Sequence, residues 1–234
     1  MSPTGAAPGV LLAAVTVVAL VVLLLLLGAP AVLRRLPEVE PGSPGHDPAK
    51  PPYRGLGTRR RRTWWAVAGG VAAVLVTLTA DPPQWPAWTV LATGGVLLAG
   101  IDAASTWVPW RLTWSTGIAV AAGGLLGLAL GSGADAWWRL CAGAGIGFGW
   151  YLLIHLLSRR RIGVGDVWLA ALVSGPAAAT GWLALYLCLL LGAVVGGLHG
   201  AVLLARGHRG PFAYGPSIVA GAFLALPVSA LVGG

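Results

Sequence analysis

Apolar residues run along this chain in long blocks, separated by short stretches of polar, proline and glycine residues. The blocks lie near residues 9–33, 63–80, 86–102, 114–132, 137–157, 167–181, 182–205 and 215–233. Crossing about 30 Å of hydrocarbon takes roughly 20 helical residues. The pattern therefore predicts an all-α, polytopic membrane bundle of about eight transmembrane helices. The sixth and seventh blocks are the least separated, because only SGPAAATGW lies between them and Pro176 falls at the end of the sixth. Residues 34–62 interrupt the pattern with six prolines and four glycines and offer almost no apolar side chain for a core. They read as a disordered basic cytoplasmic linker between a first helix (1–33) and a core of about seven helices (63–234).

Composition supports this division. The chain of 234 residues is 57% hydrophobic and only 9% charged, against about 25% charged in a soluble domain. Small residues let helices approach closely in lipid, and glycines recur four apart at Gly123, Gly127 and Gly131 and again at Gly192, Gly196 and Gly200. Both stripes read as helix-packing faces. Trp64, Trp65, Trp85, Trp88, Trp137 and Trp138 fall at predicted span ends, where indole anchors suit the membrane interface.

The net charge of +8 does not point to nucleic acid, since the arginines cluster beside apolar blocks rather than along one face. It fits membrane lipid and orientation instead. Basic residues collect in cytoplasmic loops, and with eight spans numbered alternately, 14 of the 15 Arg and Lys fall on one side, Arg139 being the exception. Both ends are then expected outside and the odd-numbered loops in the cytoplasm. The first block, followed by Arg34 and Arg35 and preceded by no basic residue, reads as an uncleaved anchor. Cys141 and Cys188 have no metal-ligand or disulfide spacing, so neither a metal nor a cofactor is expected.

The seven acidic residues sort by place. Glu38, Glu40 and Asp47 lie in the linker, and Asp81 and Asp135 in short outer loops. Asp102, ending the third block in LLAGIDAASTWVP, and Asp166, opening the sixth in RIGVGDVWLA, lie at the same membrane edge. Ionisable groups near spans usually face a cavity or pair with something. Asp166 has an alternative reading as an N-terminal helix cap. Asp102 lacks that explanation, because the C-terminal end of a helix disfavours negative charge. If the two meet, repulsion leaves one protonated and one ionised, so one can take a proton from water while the other polarises a peptide carbonyl. Gly163 and Gly165 lack Cβ, tolerate positive φ and let a backbone come close. His155 and His199 read as packing histidines.

These residues resemble the type IV prepilin peptidase family, membrane aspartyl proteases of the GxGD type. Asp102, with Pro109 seven residues on and then Leu112-Thr113, is similar to the family's first catalytic segment. GVGDVWLAAL at 163–172 resembles the second, and PFAYGPSIVAGAFLAL at 211–226 its last helix. The resemblance spans roughly residues 63–233 and implies that Asp102 and Asp166 are catalytic, with Gly163, Gly165 and Pro109 shaping the site. It implies a prepilin or pseudopilin precursor as substrate, cut after a short basic leader at the cytoplasmic face of a bacterial inner membrane, as part of a type IV pilus or protein-secretion system. Two departures stand out. Trp168 occupies a position where many members carry lysine, and residues 34–62 contain no cysteine, so the zinc-cysteine methyltransferase module of larger members is not expected. Intramembrane proteases of the presenilin kind share the GxGD motif but not the Pro109 and 211–226 segments. The alternatives are a proton- or cation-coupled transporter, whose carboxylates usually lie nearer the midplane, and a non-catalytic scaffold of a secretion or pilus apparatus.

Overall fold

The computed structural model describes residues 8–38, 50–158, 162–207, 210 and 212–233. Eight helices follow one another among them: α1 Pro8–Arg35, α2 Arg59–Thr79, α3 Pro82–Ser105, α4 Trp110–Ala129, α5 Gly133–Leu157, α6 Val164–Thr180, α7 Trp182–Ala205 and α8 Gly215–Gly233. Seven are long and apolar enough to cross a membrane. α6, with 17 residues, spans ~25 Å at 1.5 Å per residue. The protein is an all-α, multi-pass membrane bundle, and the boundaries read from the apolar blocks fall within a few residues of these helices. The uncertain sixth and seventh blocks are separate helices, joined only through Gly181.

Large apolar side chains such as Leu12, Leu27, Leu78 and Leu204 point outward, and small residues hold the inside. The arrangement is what lipid demands, because the hydrophobic effect does not drive helices together there and close packing must. α5 and α6 meet through Gly143, where a Cβ would run into Ala178 and lie 2.6 Å from the Ser174 carbonyl oxygen. α7 and α8 meet through Gly192 and Gly221, which press backbone on backbone. Gly196 and Gly200 continue that seam against Tyr214 and Phe212, and Gly123 and Gly127 receive Ala87 and Pro83. Gly131 is the exception to its stripe: it has φ +98 and no neighbour within 4 Å, and it turns the chain after α4.

This packing sets an expectation for Gly221. A side chain there meets the backbone of Gly192 and lies 2.8 Å from the Cys188 carbonyl oxygen, neither of which can move aside. Gly221→Val should destabilise the bundle by about 1–3 kcal/mol or more, read as a lower unfolding temperature in detergent. Gly197→Val, on the open face of α7 with nothing within 4 Å, should unfold like the parent.

The reading of 34–62 as disordered requires correction where the structure describes it; residues 39–49 lie outside the described residues. Leu36, Tyr53 and Leu56 are buried, and the Glu38 carboxylate accepts the N–H groups of Tyr53 (2.9 Å) and Arg54 (3.1 Å). Burial and the nearby Glu38 push the Tyr53 phenol up to about 12, so it stays neutral. Arg59–Arg62 form the first turn of α2, with Thr58 as its cap accepting from Arg61 N–H at 3.4 Å. The wide π-helical turn Leu24–Gly28 of α1 presents the Leu26 carbonyl, which accepts from Arg62 Nη1 at 3.0 Å. Three apolar residues in a polar stretch were enough to seat it, which composition alone conceals.

Of the tryptophans read as interfacial anchors, Trp64 and Trp138 are exposed, whereas Trp65, Trp85 and Trp88 are buried and do not fit that reading. Their burial is compensated inside the bundle. Trp85 Nε1 donates to the Ala80 carbonyl (2.9 Å) and Trp88 Nε1 to Thr180 Oγ1 (3.1 Å), while the Trp65 ring lies against bare Gly100.

Candidate active site

Polar contacts pin α3 and α6 at the end away from the aspartates. Thr180 Oγ1, at the end of α6, donates to Gln84 Oε1 (3.0 Å) and accepts from Trp88 Nε1, and Gln84 Nε2 donates to the Ala179 carbonyl (3.4 Å). The start of α3 therefore sits beside the end of α6. The two helices run antiparallel, so the end of α3, carrying Asp102, comes to the start of α6, carrying Asp166. α8 packs against both.

Asp102 is 4% exposed. Its Oδ2 accepts the N–H of Gly215, the first residue of α8, at 2.8 Å. That contact resolves the difficulty posed by its place at a helix C-terminus, since the N-terminus of α8 offers an unpaired donor and a favourable dipole. A Cβ on Gly215 would lie 2.7 Å from Asp102 Oδ2 and 3.0 Å from Leu169 Cδ2, one turn beyond Asp166. Three helices thus meet at a residue with no side chain.

Asp166 is 8% exposed and lies in the first turn of α6. Its Oδ2 accepts the Gly163 N–H at 3.2 Å, half of a capping box. The cap reading is right for that oxygen alone. Oδ1 is buried and has no hydrogen-bond partner among the described residues. Asp102 and Leu169, one turn after Asp166, both close on Gly215. The site is therefore a pair of buried carboxyls held by backbone donors, with an oxygen to spare.

The site-shaping residues are located as follows. Thr106 ends α3 with φ 55, and its N–H bonds the Asp102 carbonyl at 2.6 Å. Pro109 is the residue before α4, and its carbonyl accepts the N–H of Thr113 at 3.0 Å. Between them Val108 rests on Gly165, where a Cβ would fall 2.8 Å from Val108 Cβ. Gly165 thus joins the two aspartate segments by close approach. Neither glycine uses the positive φ open to it: Gly163 is extended, with φ -68 and ψ 148, and Gly165 lies within α6. A Cβ at Gly163 would make only ordinary contact, 3.4 Å from Asp166 Oδ2.

Two neighbours, Tyr151 and Tyr214, were not singled out from the sequence. Tyr151 of α5 and Tyr214, the residue before α8, face each other with ring centroids 6.2 Å apart. The signal available was a phenol within an apolar run and another beside Gly215. His155 is buried with Nδ1 2.6 Å from the Ile162 carbonyl. Because a carbonyl only accepts, that nitrogen carries the proton, and the ring fixes the chain just before Gly163. Trp168 joins Trp110, Trp114 and Phe148, with ring centroids 5.6, 5.3 and 4.9 Å away. Comparison with family models, curated proteins and solved structures finds no match.

Proposed function

We propose that this chain is a membrane aspartyl endopeptidase that removes the leader from prepilin-like precursors at the cytoplasmic face of a bacterial inner membrane. The observation that carries the reading is the placement of buried Asp102 and Asp166 at adjoining ends of α3 and α6, with Asp166 Oδ1 left without a hydrogen-bond partner among the described residues. A purely structural pair of carboxyls would have its oxygens satisfied, because an unpaired buried polar atom is costly. Gly215 N–H and Gly163 N–H fix one oxygen of each carboxyl, which leaves the others to handle a water and a peptide carbonyl. An apolar groove of about 750 Å³ between α2, α3 and α8, lined by Ala72, Ala99, Gly100 and Phe223, also touches Ala103 and Pro216, the residues that follow Asp102 and Gly215. It suits the apolar segment that follows a prepilin leader better than it suits a hydrated ion.

Co-expression with a prepilin-like precursor tests the proposal. The precursor should shorten by its leader when the chain is present, and an unchanged precursor mass with protein in the membrane would count against the peptidase. Orientation is tested separately. A reporter fused at Gly55 should register cytoplasm and one after Gly131 the exterior, as the basic loops require. The opposite pair would put the aspartates on the wrong side for this substrate.

A further inference from the structure

Lys50 is the single lysine in the chain. It lies where the described part of the α1–α2 connection meets the end of α3, and its Nζ donates to Thr106 Oγ1 at 2.6 Å. Thr106 is the sole non-glycine residue with positive φ among the described residues. A β-branched residue in that conformation is an outlier, and glycine would end the helix without strain. Glycine, however, has no hydroxyl to offer Lys50. The lysine is also held from the other side: Pro51 and Pro52 stiffen the chain, Tyr53 and Leu56 are buried, and Glu38 ties down the next turn.

The ammonium is thereby fixed at the end of α3, one turn after Asp102, whose carbonyl accepts the N–H of the same Thr106. Among the described residues, the other groups beside the pair are the phenols of Tyr151 and Tyr214 and the backbone donors of Gly163 and Gly215. Each carboxyl has one backbone donor and a helix N-terminus, so these do not distinguish the two. Lys50 does, because it stands with Asp102.

Resting on the peptidase reading, we propose that Lys50 divides the labour within the pair, holding Asp102 as the ionised base and leaving Asp166 as the protonated donor. Asp102 takes a proton from water as the water oxygen bonds to the peptide carbon, and Asp166 gives its proton to the carbonyl oxygen. The resulting diol collapses with cleavage of the C–N bond: the amine nitrogen takes the proton held by Asp102, and a diol hydroxyl returns one to Asp166. Both carboxyls finish as they began. The unpartnered Asp166 Oδ1 is where a protonated donor would need a free site.

The test reads charge without needing cleavage. Lys50 is acylated in the full-length protein in detergent with an amine-reactive ester at one fixed pH, and the modified peptide is quantified by mass spectrometry. An ammonium facing an anion is slow to acylate, so Asp102→Asn should raise the rate several-fold and Asp166→Asn should leave it unchanged. A rise with Asp166→Asn, or no change with Asp102→Asn, overturns the assignment even if the protein is no peptidase. In the cleavage assay, Lys50→Met should lower kcat about tenfold at unchanged KM, equivalent to about 1.4 kcal/mol of barrier. Lys50→Arg should restore most of it. Equal activity of Lys50→Met and the parent overturns the catalytic part of the proposal, whereas a parent that never cleaves overturns the peptidase reading itself.

Discussion

Asp102→Asn and Asp166→Asn are each expected to abolish precursor cleavage while the protein still accumulates and unfolds near the parental temperature. Asparagine preserves the size of the side chain and an oxygen to accept the N–H of Gly215 or Gly163, and it caps helices as well as aspartate does. What it loses is the exchangeable carboxyl proton. General acid–base groups contribute on the order of 10²–10⁴-fold each, so either variant should fall below detection in a gel-shift assay. Asp135→Asn is the control. That carboxylate pairs with Arg139 at 3.0 Å, its side chain is 74% exposed, and exposed pairs of this kind contribute about 1 kcal/mol or less. If Asp166→Asn cleaves normally, the capping bond to Gly163 is the whole role of Asp166 and the paired mechanism fails.

The helices were legible because lipid imposes a coarse rule on sequence: a span must be apolar for its full length, and that needs no knowledge of partners. The placement of Asp102 and Asp166 followed from the same rule, since alternating spans put both at one edge. What brings them side by side was not legible. It depends on Thr180 meeting Gln84 and Trp88 across more than ninety residues, and on α8 offering Gly215 to Asp102. Lys50 was hidden for a related reason, because its segment reads as polar and proline-rich until Tyr53 and Leu56 are seen to be buried. The buried tryptophans show the limit from the other direction. An indole at a span end satisfies the interfacial pattern whether it faces lipid headgroups or, like Trp88, a threonine on another helix.

Gly215→Ala should cost the chain its proposed cleavage activity without costing it its fold. Alanine is the better helix former by about 1 kcal/mol in a helix interior, so the first turn of α8 has no reason to unwind. The added methyl, however, would stand 2.7 Å from Asp102 Oδ2, 3.3 Å from Asp102 Cβ and 3.0 Å from Leu169 Cδ2. The carboxylate is the free end of a short side chain and yields first, swinging away from the N–H that holds it at 2.8 Å. A misplacement of about 1 Å in a reacting group can cost 10²-fold, and a loss of roughly that size is expected in kcat, with an unfolding temperature within a few degrees of the parent. Gly181→Ala supplies the comparison, because nothing lies within 4 Å of a Cβ there and its φ of 167 is ordinary extended backbone. If Gly215→Ala cleaves as fast as Gly181→Ala, then Asp102 does not depend on the start of α8 during catalysis. The three-helix site would then reduce to α3 and α6.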